Sequence, residues 1–551
     1  MASVWPVADD RVPSSSMRNR ALMGCNTLLR TDQVHGYIKV NGLCVSLMDT
    51  PQFQRLRDLK QLGTLYYVFP GASHNRFEHS LGVSFLSGQT VERFRQQQPE
   101  LELTQRDARL LSAAGLLHDL GHGPFSHVFE HEFMPRVAAA RGYGSADTPA
   151  YHHEDMSLRM IEYMVDDNNI DLERDDVRFI QQLIVGAKET HMGSRVDSRG
   201  YLYEIVANGR NCIDVDKFDY LARDMLNLFG LRKVFDFSRL TMFNRVIGNE
   251  ICYHTSVNLD IYDMFQQRYQ MHKQIYNHRK GKAVEFMICD AMLLADKELG
   301  ICAATQTPQD FQFLTDHIVH SIEASKTDSL ADARALLKRT RRRELYEFID
   351  EYLLPPELMS RIPRFTAEEL ATQTSLDGVT LDPEDIMYRN PVDNVSFYAS
   401  SDLNYKFHIP KEEVSLLFPE KFEERIIRVY SRNKSLKVHA AIQHAFHTYI
   451  RQFSTTLPLR HRLPRYKMLA NILWLLENFP NSLIIDLWPK DVEHLLSNKK
   501  NVVRKLPGNI HCYQKQAVNT IPATALQCRL QPASVTNLLQ KVTTPSNDST
   551  S

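Results

Sequence analysis

The chain has 551 residues, 43% hydrophobic and 24% charged, with a formal net charge of −1. That balance excludes a disordered polyelectrolyte and provides no global attraction to nucleic acid or anionic lipid. The eight cysteines are scattered without a C-x-x-C pair, which argues for reduced thiols and against a zinc ribbon. No apolar run is long enough to cross a bilayer and no signal-type apolar segment opens the chain, so a soluble intracellular protein is expected. The length suits one large domain with an accessory lobe, or two domains.

Residues 1–27, rich in Ser, Arg and Met, read as a flexible leader, and the folded body begins near Leu28. From Asp49 to Leu62, Phe53, Leu56, Leu59 and Leu62 recur at helical spacing, with Pro51 near the start and Asp49 or Thr50 as N-cap. After an aromatic run closed by a turn at Pro70–Ser73, a second helix is expected from near Ser73, carrying Arg76, His79, Val83 and Leu86. Thr104 and Asp107 form a capping box for a third helix, apolar on most sides and hence central. It delivers His118 and Asp119 at its C-terminal end, where Gly121 and Gly123 are expected to stop it. A loop at 142–149 precedes Tyr151-His152-His153-Glu154 at the head of another helix. The latter half of 211–220 reads as helical, placing Asp216, Tyr220 and Arg223 or Asp224 on one face.

A single long helical pattern spans Tyr262 to Lys297, with Arg268, His272, Tyr276 and Arg279 on one polar face. The basic block 338–343 reads as a nuclear import signal, a nucleic-acid contact or a solvated helix face, the last being the default for such a charge run. Alternation at 395–398 and 425–430 predicts short strands, and 526–551 reads as a disordered tail. The expected architecture is mostly α: a helical core over 28–375, with its metal-binding part about 73–225, and a smaller C-terminal α+β lobe over 376–525.

The chemistry centres on residues 115–127, where His118-Asp119 is followed by His122 and His127 among glycines. Imidazole beside carboxylate suits a hard or borderline divalent cation. His79, His118, Asp119 and Asp216 together offer two imidazoles and two carboxylates from three segments. That set neutralises a divalent ion and leaves coordination positions for water or a phosphate oxygen. A histidine on a helix is by default structural, so His79 enters the set only by the company it keeps.

The pattern His79…His118-Asp119…Asp216 is similar to the H…HD…D signature of the HD-domain phosphohydrolases. The runs 49–57, 66–83, 118–127, 213–220 and 390–398 resemble the vertebrate SAM-and-HD-domain dNTP triphosphohydrolase family over roughly residues 30 to 435. The leader is too short for a SAM module, so a relative without one is expected. The resemblance implies cleavage of a dNTP to deoxynucleoside and inorganic triphosphate with the help of zinc, iron, manganese or magnesium. Carried over by position, Arg76 faces the α-phosphate and Lys217, Tyr220 and Arg268 hold the outer phosphates. His122, His127 and His153 are its acid–base candidates, with His127 favoured as proton donor. Gln61 and Asp224 would hold the ribose 3′-hydroxyl, while Leu62 and Tyr276 crowd the 2′ position. Without the resemblance, Leu62 and Tyr276 read as packing residues, and Lys217 and Arg268 as solvated charges.

The same resemblance assigns Asp49, Gln54 and Arg57 to a guanine-nucleotide activator, GTP or dGTP. The lysine-valine pair facing its phosphates is replaced here by Leu28-Leu29. At a second activator site basic positions become His254 and Ser256, Arg239 stays, and Arg279 replaces lysine. Polyphosphate recognition depends on such cations, so weakened or altered activation is expected, together with a changed homo-oligomer, dimer or tetramer. No aromatic stacking platform marks nucleic acid as a main partner. The alternatives are another HD-domain nucleotidase or phosphodiesterase, and a non-catalytic nucleotide- or nucleic-acid-binding relative.

Overall fold

Why the chain bends where it does is set first by an N-terminal hairpin that the sequence reading passed over. In the computed structural model, which describes residues 28–140, 151–186, 199–354, 379–387, 394–414, 423–453, 485–487, 512–513 and 526–528, strands β1 (Leu28–Asp32) and β2 (Gly36–Val40) pair antiparallel. Asp32 Oδ1 accepts from the backbone N–H groups of Val34 and His35 at 2.8 and 2.9 Å, and Gly36 takes the left-handed conformation, φ 71°, that closes the turn. The leader, the 142–149 loop and the tail beyond 528 lie outside the described residues.

Chain packing divides the protein into residues 1–360 with 382–430, and residues 361–381 with 431–551. The first unit is mostly helical. Helix α1 (Gly42–Met48) is capped by Asn41, whose side chain accepts from Cys44 N. The single helix expected over 49–62 is instead a short helical turn, Pro51–Gln54, capped by Thr50, that tightens into a 3-10 turn over Arg55–Asp58 and becomes extended at Leu59. The override is tertiary. The buried Arg55 guanidinium donates to the main-chain carbonyls of Leu314, Leu120 and His122, and Lys60 forms a β-bridge with Asn75.

That bridge also keeps 73–75 out of the next helix, so α2 (Arg76–Gln97) starts later than its apolar pattern suggested, with Asn75 N donating to Glu78 Oε1 at 2.9 Å. Helix α3 (Gln105–Leu117) has the expected Thr104/Asp107 box and is buried from Leu110 to Leu117. It lies close against α2: Ser84 Oγ donates to Ser112 O at 2.8 Å, and a Cβ on Gly115 would meet Ser87 Oγ at 2.5 Å. Helices α4 (His153–Asp167), α5 (Arg174–Val185) and α6 (Val215–Phe229) follow, with Asp214 capping α6 through Lys217 N. Gly82 on α2 has no room for a Cβ because Asp219 and Arg223 of α6 occupy that space.

The pattern from 262 to 297 is two helices. Helix α7 (Asn258–Met271) runs into a π-turn, His272–Tyr276, and α8 (Arg279–Leu299) starts anew after an extended His278. The break falls where a distant residue reaches the chain: Arg428 Nη1 donates to the carbonyl of Asn277 at 2.9 Å, and His278 beside it is extended. Arg279 therefore begins α8 and does not share a face with Arg268, His272 and Tyr276. The basic block closes helix α9 (Ala331–Arg341). Arg341 pairs with Glu323 at 2.9 Å and lies over the Tyr67 ring, Arg343 donates to Tyr67 O, and Arg339 stacks on Tyr346, so these three cations pack on the helical core.

Strands β3 (Asn244–Ile247), β4 (Glu250–His254), β7 (Phe397–Ala399) and β8 (Asp402–Phe407) form a four-stranded sheet in the order β3-β4-β7-β8. Strands β5 (Glu347–Leu354), β6 (Val379–Met387) and β9 (Glu423–Ser431) form another in the order β5-β9-β6. β7 and β9 are the strands predicted from alternation. The second unit contains α10 (Leu436–Phe453) and a small sheet, β10 (Ile485–Leu487), β12 (Leu526–Cys528) and β11 (Cys512–Tyr513). The fold is thus mostly α with a smaller strand-containing C-terminal region. Among the described residues, five cysteines are free thiols and no helix is long and apolar enough to cross a membrane.

Candidate active site

Four side chains from α2, the end of α3 and the start of α6 converge. His79 Nε2 lies 3.0 Å from Asp216 Oδ1 and 3.6 Å from Asp119 Oδ2. His118 Nε2 lies 3.3 Å from Asp119 Oδ1 and 3.5 Å from Asp216 Oδ1. Ligand atoms of His79, His118 and Asp119 sit within 4.8 Å of one another. His118 Nδ1 donates to Gly115 O at 2.9 Å, which leaves Nε2 buried and without a hydrogen-bond partner. An orphaned imidazole nitrogen facing two carboxylates fits a divalent cation. Helix α3 stops with His118 in ordinary right-handed geometry. Gly121 and Gly123 are there for closeness rather than for a left-handed cap: a Cβ would strike His153 O at the first and the Phe129 ring at the second.

The electrostatics ask for positive charge in this place. Burial works against a charged His79, yet the bonds to Asp216 and Asp219 outweigh it and push its pKa up to about 10. Burial would raise Asp119, but the Arg76, His118 and His122 charges hold it well below the usual carboxylate range. Asp216 is held low in the same way, by His118 and His79 against its burial. A divalent ion held by these residues would take over the role of the imidazolium protons.

Behind the ligands stands a second layer. His79 Nδ1 bonds Asp219 Oδ2 at 2.7 Å. Asp219 also accepts two bonds from Arg223, at 2.8 and 2.9 Å, and one from His35 Nε2 at 2.6 Å. Arg223 continues to Asp32 at 2.9 Å, so the hairpin turn completes a buried chain that ends on His79. Asp219, Arg223, His35 and Asp32 escaped the sequence reading as a set. The signal available was the i, i+3, i+7 spacing of Asp216, Asp219 and Arg223; nothing local pointed to the hairpin.

Beside the cluster lies a group of histidines. His122 stacks on His153 at 3.9 Å between ring centroids, and His127 meets both edge-on at 5.1 and 5.7 Å. His153 Nδ1 bonds Glu130 Oε2 at 2.7 Å, while the neighbouring His152 reaches Glu130 Oε1 at 3.3 Å. Burial works to lower His153, but the Glu130 bond together with the Glu154, Glu130 and Asp119 charges leaves a net upward shift. Burial alone would raise Glu130, yet His153 and the neighbouring imidazoles hold it at about 2. Burial, followed by the Arg76 and His153 charges, drives His122 well down. His127, 60% exposed, is lowered to about 3 by the surrounding protein and then by Arg76 and His153.

The turn that leads into His127 is strained. Phe125 and Ser126 both adopt positive φ, 58° and 60°, an unusual pair for residues with side chains. Phe125 N donates to Asp316 Oδ1 at 2.6 Å, Asp316 Oδ2 accepts from Lys60 N at 2.9 Å, and Ser126 Oγ donates to Lys60 O at 3.1 Å. Arg76 grips both ends of the site, donating through Nε to Ser126 Oγ at 2.8 Å and through Nη1 to Asp119 Oδ2.

The remaining expected substrate residues cluster in linked pairs. Asp224 bonds His74 Nε2 at 2.7 Å and accepts from the Tyr276 hydroxyl at 2.6 Å. Gln61 Oε1 is buried without a partner, and Leu62 follows it, partly buried against the core. Lys217 Nζ lies 3.3 Å from Asp214, and Arg268 Nε donates to Tyr220 Oη at 3.1 Å. His272 packs edge-on against Tyr276, and its lowered pKa, from burial and then the Arg268, His127 and Lys217 charges, ties α7 to the histidine group.

The expected activator residues are spread on the surface. Arg57 Nε donates to Gln54 Oε1 at 2.7 Å and its guanidinium covers the Phe77 ring, and Asp49 is the exposed C-cap of α1. Leu29 is 62% exposed on β1. Arg239 pairs with Asp260, Arg279 lies over Phe348, and His254 is bonded to Ser256 and Ser400 at 2.8 Å each.

Comparison with known proteins agrees with this geometry. The HD domain family matches residues 76–224. The deoxynucleoside triphosphate triphosphohydrolase SAMHD1 homolog of Dictyostelium discoideum is 41% identical over 415 residues, covering 73% of this chain and 77% of the relative. The chicken protein named deoxynucleoside triphosphate triphosphohydrolase SAMHD1 is 39% identical, covering 75% and 73%. The human protein of that name is 38% identical, covering 75% and 72%.

Proposed function

Since the chain belongs to the SAMHD1 family of deoxynucleoside triphosphate triphosphohydrolases, we propose that it is itself a metal-dependent enzyme that hydrolyses a dNTP to deoxynucleoside and inorganic triphosphate. The observation that carries the reading is the convergence of His79, His118, Asp119 and Asp216, with the His118 nitrogen left open toward the carboxylates. When bound there, the divalent ion supplies Lewis-acid polarisation of the α-phosphate and a nucleophile competent at neutral pH.

The chain's own groups do the rest. Arg76 keeps Asp119 turned to the ion and brings a fixed positive charge to the α-phosphate. Lys217, Tyr220 and Arg268 bind the outer phosphates, which holds the scissile bond in line for attack. The departing 5′-oxygen needs a proton, and His127 donates it. The negative charge of the triphosphate offsets the Arg76 and His153 charges that add to the lowering of His127 in the free protein, and His122 and His153 pack around its ring in support. Asp224 and Gln61 orient the ribose 3′-hydroxyl, while Tyr276 and Leu62 leave no room for a 2′-hydroxyl.

Activation by GTP or dGTP at Asp49, Gln54 and Arg57 is part of this proposal, in weakened form: apolar Leu28-Leu29, and His254 and Ser256, occupy positions where phosphate-binding cations are wanted. Arg239 and Arg279 supply what cationic recognition is left at the second activator site. A homo-oligomer whose assembly responds little to nucleotide follows. The test is to load the protein with manganese or iron, supply each dNTP and each NTP with and without GTP, and measure inorganic triphosphate. Triphosphate release from dNTPs alone is the expected result; nucleotide binding without release under every metal would make the chain a sensor, and gel filtration of the same mixtures reads the oligomer.

A further inference from the structure

We propose that His127, Glu130 and His131 form a second cation site, selective for zinc or a similar borderline transition metal, whose occupation switches the enzyme off. Ligand atoms of these three residues lie within 4.8 Å of one another. The π-turn Phe129–Phe133, closed by Met134 N to Phe129 O, is what makes the arrangement. Along it, side chains four apart come together in pairs. On the buried side Phe129 stacks on Phe133 at 5.1 Å, and on the outer side His127 stacks on His131 at 5.4 Å with the rings 2° from parallel. Both imidazoles are exposed, and the carboxylate of buried Glu130 lies at their base, Oε2 4.0 Å from His127 Nδ1.

Two imidazoles and one carboxylate oxygen make the donor set that zinc takes with a fourth position open, and one to which magnesium is indifferent. The bond from His153 to Glu130 orients the carboxylate, as a supporting residue does around a metal ligand. This group shares no ligand with the His79, His118, Asp119 and Asp216 cluster. An ion held here takes the lone pair of His127 and blocks its protonation. The inhibitory part rests on the reading of His127 as proton donor; the binding part does not.

The experiment compares the wild-type holoenzyme with His131→Gln, an exposed change outside the catalytic set, both with the first site already loaded with manganese. Zinc is titrated against a chromophoric competitor, manganese retention is checked by elemental analysis, and dNTP turnover is read with magnesium in excess. The expected result is one zinc bound beyond the manganese in wild type, weakened at least about tenfold in the variant. Turnover falls as that zinc site fills in wild type, and the same zinc concentrations leave the variant active. Equal zinc binding by the two proteins, or no zinc beyond the manganese site in wild type, overturns the site. Zinc that follows His131 while wild-type turnover is unchanged overturns the switch. Zinc that follows His131 in a protein releasing no triphosphate under any metal supports the site and sinks the hydrolase reading instead.

Discussion

The imidazole of His79 is bonded through Nδ1 to Asp219 Oδ2 at 2.7 Å, so its other nitrogen, Nε2, is the one turned toward Asp119 and Asp216. That tautomer and ring angle are set by a carboxylate that itself touches no expected substrate group. Asp219 is fully buried, as is its partner Arg223.

Replacing Asp219 with Asn keeps the shape and removes the charge. Metal affinity should fall about 10- to 100-fold, as for supporting residues at other metal centres. Stability should fall by about 3–5 kcal/mol, because Arg223 is left as an incompletely paired buried cation. Equilibrium dialysis with manganese and thermal unfolding of the metal-free protein measure the two separately; an unchanged metal affinity would show that Asp219 does not position His79.

The Glu130–His153 pair predicts a pH window. Glu130 is depressed to about 2, so its contribution is complete above the unfolded carboxyl pKa, near 4.5, and is lost as pH falls through the folded value. His153 is raised, so its contribution is complete below the unfolded imidazole pKa, near 6.5, and is lost as pH rises through the folded value. The stability difference between wild type and Glu130→Gln should therefore be largest between about pH 4.5 and 6.5. Denaturant unfolding of both proteins across pH 3 to 9 reads it; a difference that keeps growing above pH 8 would contradict the pairing.

Asp316 pins the strained turn at Phe125 and Ser126 by accepting from Phe125 N and Lys60 N. Asp316→Ala strands two amides and should cost about 2–6 kcal/mol in all, at about 1–3 for each. Because the turn aims His127, kcat should drop more than KM rises. Steady-state kinetics on the folded fraction tests this, and a pure KM effect would count against it.

Tyr276 is held by Asp224 at 2.6 Å, and in the proposed function it is the wall against a 2′-hydroxyl. Tyr276→Ala should lower the preference for dNTP over NTP by about 10- to 200-fold, the range over which a pocket wall discriminates. The ratio of kcat/KM values for dGTP and GTP in one buffer measures it. An unaltered ratio would move sugar selection elsewhere.

What could be read from the sequence was what is local or contiguous. The Thr104/Asp107 box, the His118-Asp119 doublet at the helix end, the helical character of the latter half of 211–220 and strands β7 and β9 follow from neighbouring residues alone. The break after Tyr276 could not be read, since it falls where Arg428 from a remote strand meets the Asn277 carbonyl. The fragmentation of 49–62 is hidden for the same reason, since Arg55 is drawn to carbonyls far along the chain. His79, His118, Asp119 and Asp216, which the structure brings together, were legible as four residues with one chemistry; the layer behind them, Asp219, Arg223, His35 and Asp32, depends on a hairpin meeting α6. Glu130 was missed because only the fold shows that His153 points at it.

Arg55 spends its guanidinium on peptide oxygens, among them that of His122 at 2.6 Å. Beside it Arg57 is exposed and Gln54 half-buried, its amide donating to Met48 O at 2.8 Å. Carbonyls neither titrate nor change sign, so this link is mechanical: pressure on the outer side of the turn would be felt as a shift of the His122 main chain, with no charge moved and little sensitivity to salt.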